Sequence, residues 1–208
     1  MDGAGFASLL RCCGARDAAG IDALTDDVVT RYGEPHRKYH TLAHARAVAD
    51  GVSSIASPSG LSDPRAALLA AWLHDAIYDT RAMGNEDASA VYASAALGAL
   101  GVEAGLVERC AELIRVTATH LAETLDEAVL CDADLAILAT PADVYARYSR
   151  QVREEYDWVP EKDFRAGRTA ILRTLLARDG LYRTPAARRW EVAARSNVEA
   201  ELAELARG

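Results

Sequence analysis

The sequence predicts an all-α bundle, one domain over residues 1–208, packed around a single core. Three observations carry that reading. Ala and Leu abound while aromatics make up only 6% of the chain, a bias toward helix formers. No run alternates apolar and polar residues for long, and β-branched residues are thinly spread, so no strand is expected. Helix punctuation also recurs: Asp63-Pro64, Thr140-Pro141 and Thr184-Pro185 each set a capping side chain before a proline suited to the first helical position.

In chain order, helices are expected over about 4–15 and 18–32, the second stopping at Gly33, and then over about 41–55. The stretch 53–64 is the most loop-like. A helix over about 64–76 follows Asp63-Pro64, and one over about 86–99 follows Asn85, with Glu86 and Asp87 in its first turn and Gly101 beyond its end. Further helices fall at about 103–119, 125–139, 141–156 and 161–178, the last ended by Gly180. The terminal helix, about 185–206, is amphipathic between Ala186 and Leu205, a face suited to a homo-oligomer contact.

At 208 residues the chain can bury a sizeable core without staples. The net charge of −8 argues against a nucleic-acid polymer as partner, since phosphate-tracking surfaces carry a basic surplus. Cys12, Cys13, Cys110 and Cys131 form neither a disulfide framework nor a CxxC zinc pair, which fits a reducing compartment. No apolar run approaches a membrane span, and the apolar stretch from Phe6 to Leu10 lacks a positive leader, so a cytoplasmic protein without a membrane partner is expected.

Chemistry concentrates in three places. Of five histidines, His36, His40 and His44 stand close together, and His40 and His44 share a helix face at a spacing of four. His74-Asp75 lies inside the segment 66–78, which is otherwise apolar all round and therefore marks a helix in the middle of the protein. An imidazole and a carboxylate there need strong partners, and a metal ion is one. Asp132 and Asp134 interrupt a third apolar segment, pointing to nearly opposite sides of their helix, so one of the two is expected at a shared site. Three buried helices contributing out-of-place His and Asp residues form the pattern of a ligand cage across a bundle. The alternative for each cluster alone is a hydrogen-bonded core pair or a solvated face.

A histidine, an adjacent His-Asp pair on a buried helix and a distant Asp resemble the HD superfamily of metal-dependent phosphohydrolases. The chain from Arg37-Lys38-Tyr39-His40 through Arg153-Glu154-Glu155-Tyr156 and Gly167-Arg168 to Ser196-Asn197 is similar to a bacterial group of predicted HD-superfamily phosphohydrolases. The resemblance implies an HD core over about 37–140, a helical extension over about 141–208, and His44, His74, Asp75 and Asp134 as metal ligands. It is the family's Ala-Asp-x-Leu context that selects Asp134 over Asp132. Tyr39-His40-Thr41-Leu42-Ala43-His44-Ala45 also resembles a segment of cyclic-nucleotide phosphodiesterases, which implies His40 as general acid.

The expected activity is hydrolysis of a phosphate ester or phosphoanhydride, with Asp75 and His40 as catalytic residues and a nucleotide or other small phosphorylated metabolite as substrate. Mn, Co, Fe, Ni or Zn suits two imidazoles and two carboxylates, and Mg is an option. Arg37, Arg153 and Arg168 are candidate phosphate contacts, each with a solvated-cation alternative, and Glu154 is a candidate partner for one of them. His120 is a candidate pocket residue. Relatives with two tightly bound metals, including an iron oxygenase type, place two further histidines before the last Asp, and this chain offers only His120 there. A nucleotide-sensing module without turnover is the non-enzymatic alternative.

Overall fold

The computed structural model describes residues 3–207, and among these it contains ten α-helices and no strand. They are α1 (Ala4–Cys12), α2 (Ala18–Tyr32), α3 (Leu42–Ile55), α4 (Arg65–Leu73) and α5 (Asn85–Ala99), then α6 (Ala104–Val116), α7 (Leu125–Asp134), α8 (Ala142–Glu155), α9 (Glu161–Leu176) and α10 (Glu191–Arg207). No helix among the described residues is long and apolar enough to cross a membrane.

The apolar run on α4 does what its pattern predicts. Ala66, Ala67, Leu69, Ala70, Ala71, Trp72 and Leu73 are all buried, and α4 packs against α1, α3, α5, α6 and α7. Alanines at this density let neighbouring helices approach closely. A second close approach joins α3 to α7, where a Cβ added at Gly51 would stand 3.0 Å from the Ala133 Cβ.

Two apolar clusters result. The larger takes side chains from α1 through α7. The smaller gathers Leu138, Tyr145, Leu172, Leu181, Tyr182 and Val198 from the C-terminal helices, and Trp190 packs on both. Asp132 fastens one to the other: its buried carboxylate accepts the backbone N–H groups of Arg183 (2.9 Å) and Thr184 (2.7 Å).

Several helix ends depart from expectation. Pro64 and Pro141 occupy the cap position rather than the first helical turn. The Asp63 carboxylate accepts the Arg65 N–H and pairs with its guanidinium, whereas the Thr140 hydroxyl turns back to the Ile137 carbonyl. Thr184 opens a turn and a short 3-10 segment, so the terminal helix starts only at Glu191. Asn85 does not cap α5. Gly84 holds that position in a left-handed conformation (φ 79°), and the Asn85 amide instead bridges both backbone groups of Asp79. The α-helix of α7 also tightens into a 3-10 turn, Leu135–Ala139, directly after Asp134.

Candidate metal centre and cavity

His44 lies in the first turn of α3, His74 and Asp75 directly follow α4, and Asp134 ends α7. The packing of these three helices brings the four side chains together. His44 Nε2 and His74 Nε2 are 3.1 Å apart. Asp75 Oδ2 stands 3.1 Å from the His74 nitrogen and 3.5 Å from that of His44, and Asp134 Oδ1 stands 3.2 Å from His44 and 3.6 Å from His74.

The tautomer of His74 is fixed from behind. Its Nδ1 lies 3.1 Å from the Ala71 carbonyl, which only accepts, so Nδ1 carries the proton and a neutral ring points a bare lone pair from Nε2 at His44. Two imidazole nitrogens in that relation, faced by carboxylates, are satisfied either by a proton on one ring or by a cation between them. Ligands about 2.1 Å from one ion and at right or tetrahedral angles to each other stand ~3.0–3.4 Å apart; the separations of 3.1, 3.1 and 3.2 Å fall in that range, and those of 3.5 and 3.6 Å lie just beyond it. The group His44, His74 and Asp75, with ligand atoms all within 4.8 Å of one another, could hold a metal ion. Asp134 approaches this trio through the two histidine nitrogens.

The electrostatics agree. Burial alone would push both imidazoles toward the neutral form, but the Asp134 and Asp75 carboxylates outweigh it and raise both pKa values. Burial likewise works against charged carboxylates, yet facing His74 holds Asp75 and Asp134 well below the usual range. The cluster favours anionic oxygens around a positive centre.

The centre forms part of the wall of a cavity of about 860 Å³, which His40, Tyr78, His120, Tyr148, Arg168 and Arg178 also line. His40 is anchored by Glu155, a residue the sequence reading passed over in favour of Glu154. Glu155 Oε1 accepts the backbone N–H groups of Lys38, Tyr39 and His40 at 2.7–2.9 Å. Its Oε2 accepts from His40 Nδ1 (2.6 Å) and the Tyr78 hydroxyl (3.0 Å). Burial opposes the Glu155 charge, but the bond from His40 overrides it and pulls the carboxyl down to about 2. An ionised Glu155 leaves Nε2 as the His40 nitrogen available to a ligand. A signal existed: Tyr145, Tyr148, Val152 and Glu155 form a single stripe on α8.

The arginines correct the sequence reading. Arg37 is enclosed and spends its guanidinium on Glu34 and on the carbonyls of His40 (3.2 Å), Asp75 (2.6 Å) and Ala76 (3.2 Å), clamping the approach to α3 onto the end of α4. Its side chain is enclosed and does not line the cavity. Arg153 is likewise engaged, by Glu161 and the carbonyls of Tyr156 and Val159, and it does not line the cavity. Arg168 does line it, but its charge is matched by buried Glu201, at 2.8 Å from Nε. His36 stacks on Tyr78 away from the cluster.

His120 is closer to the chemistry than a general pocket residue. Its Nε2 lies 2.8 Å from Asp134 Oδ2, and its backbone is left-handed (φ 52°), a conformation uncommon for histidine that aims the ring at this carboxylate. Scans against family models, curated proteins and solved structures return no match to this chain.

Proposed function

We propose that this protein is a metal-dependent phosphohydrolase of HD type, splitting a phosphate ester or phosphoanhydride of a small metabolite. The observation that carries the reading is the pair of buried imidazole nitrogens, 3.1 Å apart and flanked by two carboxylates, in the wall of an open cavity. The four residues that the HD resemblance implies as ligands, His44, His74, Asp75 and Asp134, lie close together, which supports the reading.

A divalent ion held there, of the Mn, Co, Fe, Ni, Zn or Mg kind, supplies an activated water and a Lewis acid for a phosphoryl oxygen. The protein supplies the rest. His40 donates a proton from Nε2 to the leaving oxygen, while Glu155 holds Nδ1 and three backbone amides of the same segment. The Tyr78 hydroxyl, bonded to the same Glu155 oxygen, limits the tilt of that ring. His120 orients the Asp134 carboxylate from behind, and Arg37 fixes the backbone carbonyl of Asp75 and with it the turn that carries that residue.

The test is elemental analysis of the purified protein, then a screen for phosphate and pyrophosphate release from phosphorylated metabolites with Mn, Co or Mg added. Metal-dependent turnover that disappears in Asp75→Ala supports the proposal. A chain that takes up no metal, or takes it up and turns over no phosphate compound, overturns it.

A further inference from the structure

Away from the histidines and the metal cluster, two arginines among the described residues line the cavity, Arg168 and Arg178, and Glu201 neutralises the first. Among the described residues Arg178 has no carboxylate within ion-pair distance; Cys131 and Arg183 act on its charge, His120 and Asp179 border the same small pocket, and Arg195 bonds its backbone carbonyl. Burial pushes the Cys131 thiol up, so it is neutral, and Arg183 is a second cation. Burial and the nearby Arg183 both disfavour the Arg178 charge. A guanidinium held under those conditions is short of an anion.

Two of its five N–H groups support the turn after α6, donating to the carbonyls of Thr119 (2.8 Å) and His120 (3.3 Å). That role needs donors, not charge, and it leaves three N–H groups unspent. It also ties Arg178 to the residue whose ring bonds Asp134, so the cation is one residue from the metal cluster. The rest of the wall includes Leu135, Ile137, Leu138, Ile171 and Leu175, and its remaining acid is Glu86. Beyond the metal cluster and His40, a chain of further phosphates would meet Arg178 as an unpaired guanidinium and Glu86 as a repelling carboxylate.

Building on the hydrolase reading, we propose that Arg178 is the anion-binding residue of this cavity. It selects a substrate bearing a single phosphoryl group on a mainly apolar body over a nucleoside polyphosphate.

Calorimetric titration of the metal-loaded protein with inorganic phosphate tests Arg178 directly. Arg178→Gln removes the charge and keeps a shorter polar amide, and Arg178→Lys keeps the charge. Phosphate binding should weaken about ten- to a hundredfold in the Gln variant, recover in the Lys variant and stay unchanged in the exposed control Arg173→Met, with metal content constant. Equal binding by the wild type and Gln variants overturns the assignment, as does equal weakening in Gln and Lys. In parallel, kcat/KM for 1-naphthyl phosphate should exceed that for ATP at least about tenfold; a preference for ATP overturns the selectivity. Phosphate binding is read whether or not any ester is turned over, so loss of the hydrolase reading and loss of this one are distinguishable.

Discussion

Replacing Glu155 by glutamine removes one charge and little volume, and the structure sets the size and sign of the effect. The carboxylate collects five bonds, three from backbone amides and one each from His40 and Tyr78. Its carboxyl sits at about 2 in the folded chain against a usual 4.5. A group whose folded pKa is depressed stabilises the fold above its unfolded pKa and loses that contribution as the pH falls through the folded one. At about 1.4 kcal/mol per pH unit, Glu155 contributes on the order of 3 kcal/mol above pH 5, and that contribution fades between about pH 4.5 and 2. The Gln amide also meets His40 Nδ1 and the Tyr78 hydroxyl as a donor, which forces the proton of a neutral His40 onto Nε2. Denaturant unfolding of both proteins without metal, at pH 7 and again near pH 2.5, is the assay. The gap between them should be roughly 3 kcal/mol at pH 7 and mostly closed at the acid end. A gap that is absent at pH 7, or that persists undiminished in acid, refutes the assignment of a charged, bond-saturated Glu155.

Other perturbations follow from the same geometry. Gly51→Ala gains about 1 kcal/mol of helix propensity but sets a Cβ 3.0 Å from Ala133, which costs ~1–3 kcal/mol of overpacking and separates α3 from α7. Tm and metal affinity should fall together, and a higher Tm at unchanged affinity would contradict this. His120→Ala releases Asp134 and should weaken metal binding about 10- to 100-fold at nearly unchanged stability, measured by competition with a chelating dye. Arg37→Met leaves three carbonyls without their donor, so the melting temperature should drop by several degrees; a selective rise in KM for a phosphorylated substrate, without that drop, would restore Arg37 as a phosphate contact.

What the sequence disclosed depended on how locally each feature is determined. The central place of α4 was legible because a segment apolar on every side has nowhere else to go, and the His-Asp pair at its end was conspicuous for the same reason. Helical phase showed that Asp132 and Asp134 diverge, but not which of them meets His44. That depends on residues 183–184, fifty positions away, whose amides occupy Asp132. The arginines were the least legible. A long side chain reaches carbonyls, carboxylates or a cavity with equal ease, so Arg37 and Arg153 serve the backbone while Arg178, unremarked in the sequence, borders the cavity. Helix ends misled where a capping side chain had a better partner elsewhere, as Asn85 does in Asp79.

The cavity walls are drawn from two separate cores. The histidines and aspartates that face one another hang on α3, α4 and α7 of the larger cluster, while Tyr148, Arg168, Ile171, Leu175 and Arg178 come from the C-terminal region. Substitutions at Arg168 or Ile171 therefore alter the cavity wall from a different core than the one carrying the clustered side chains, whereas Glu155 on α8 ties the two together through His40.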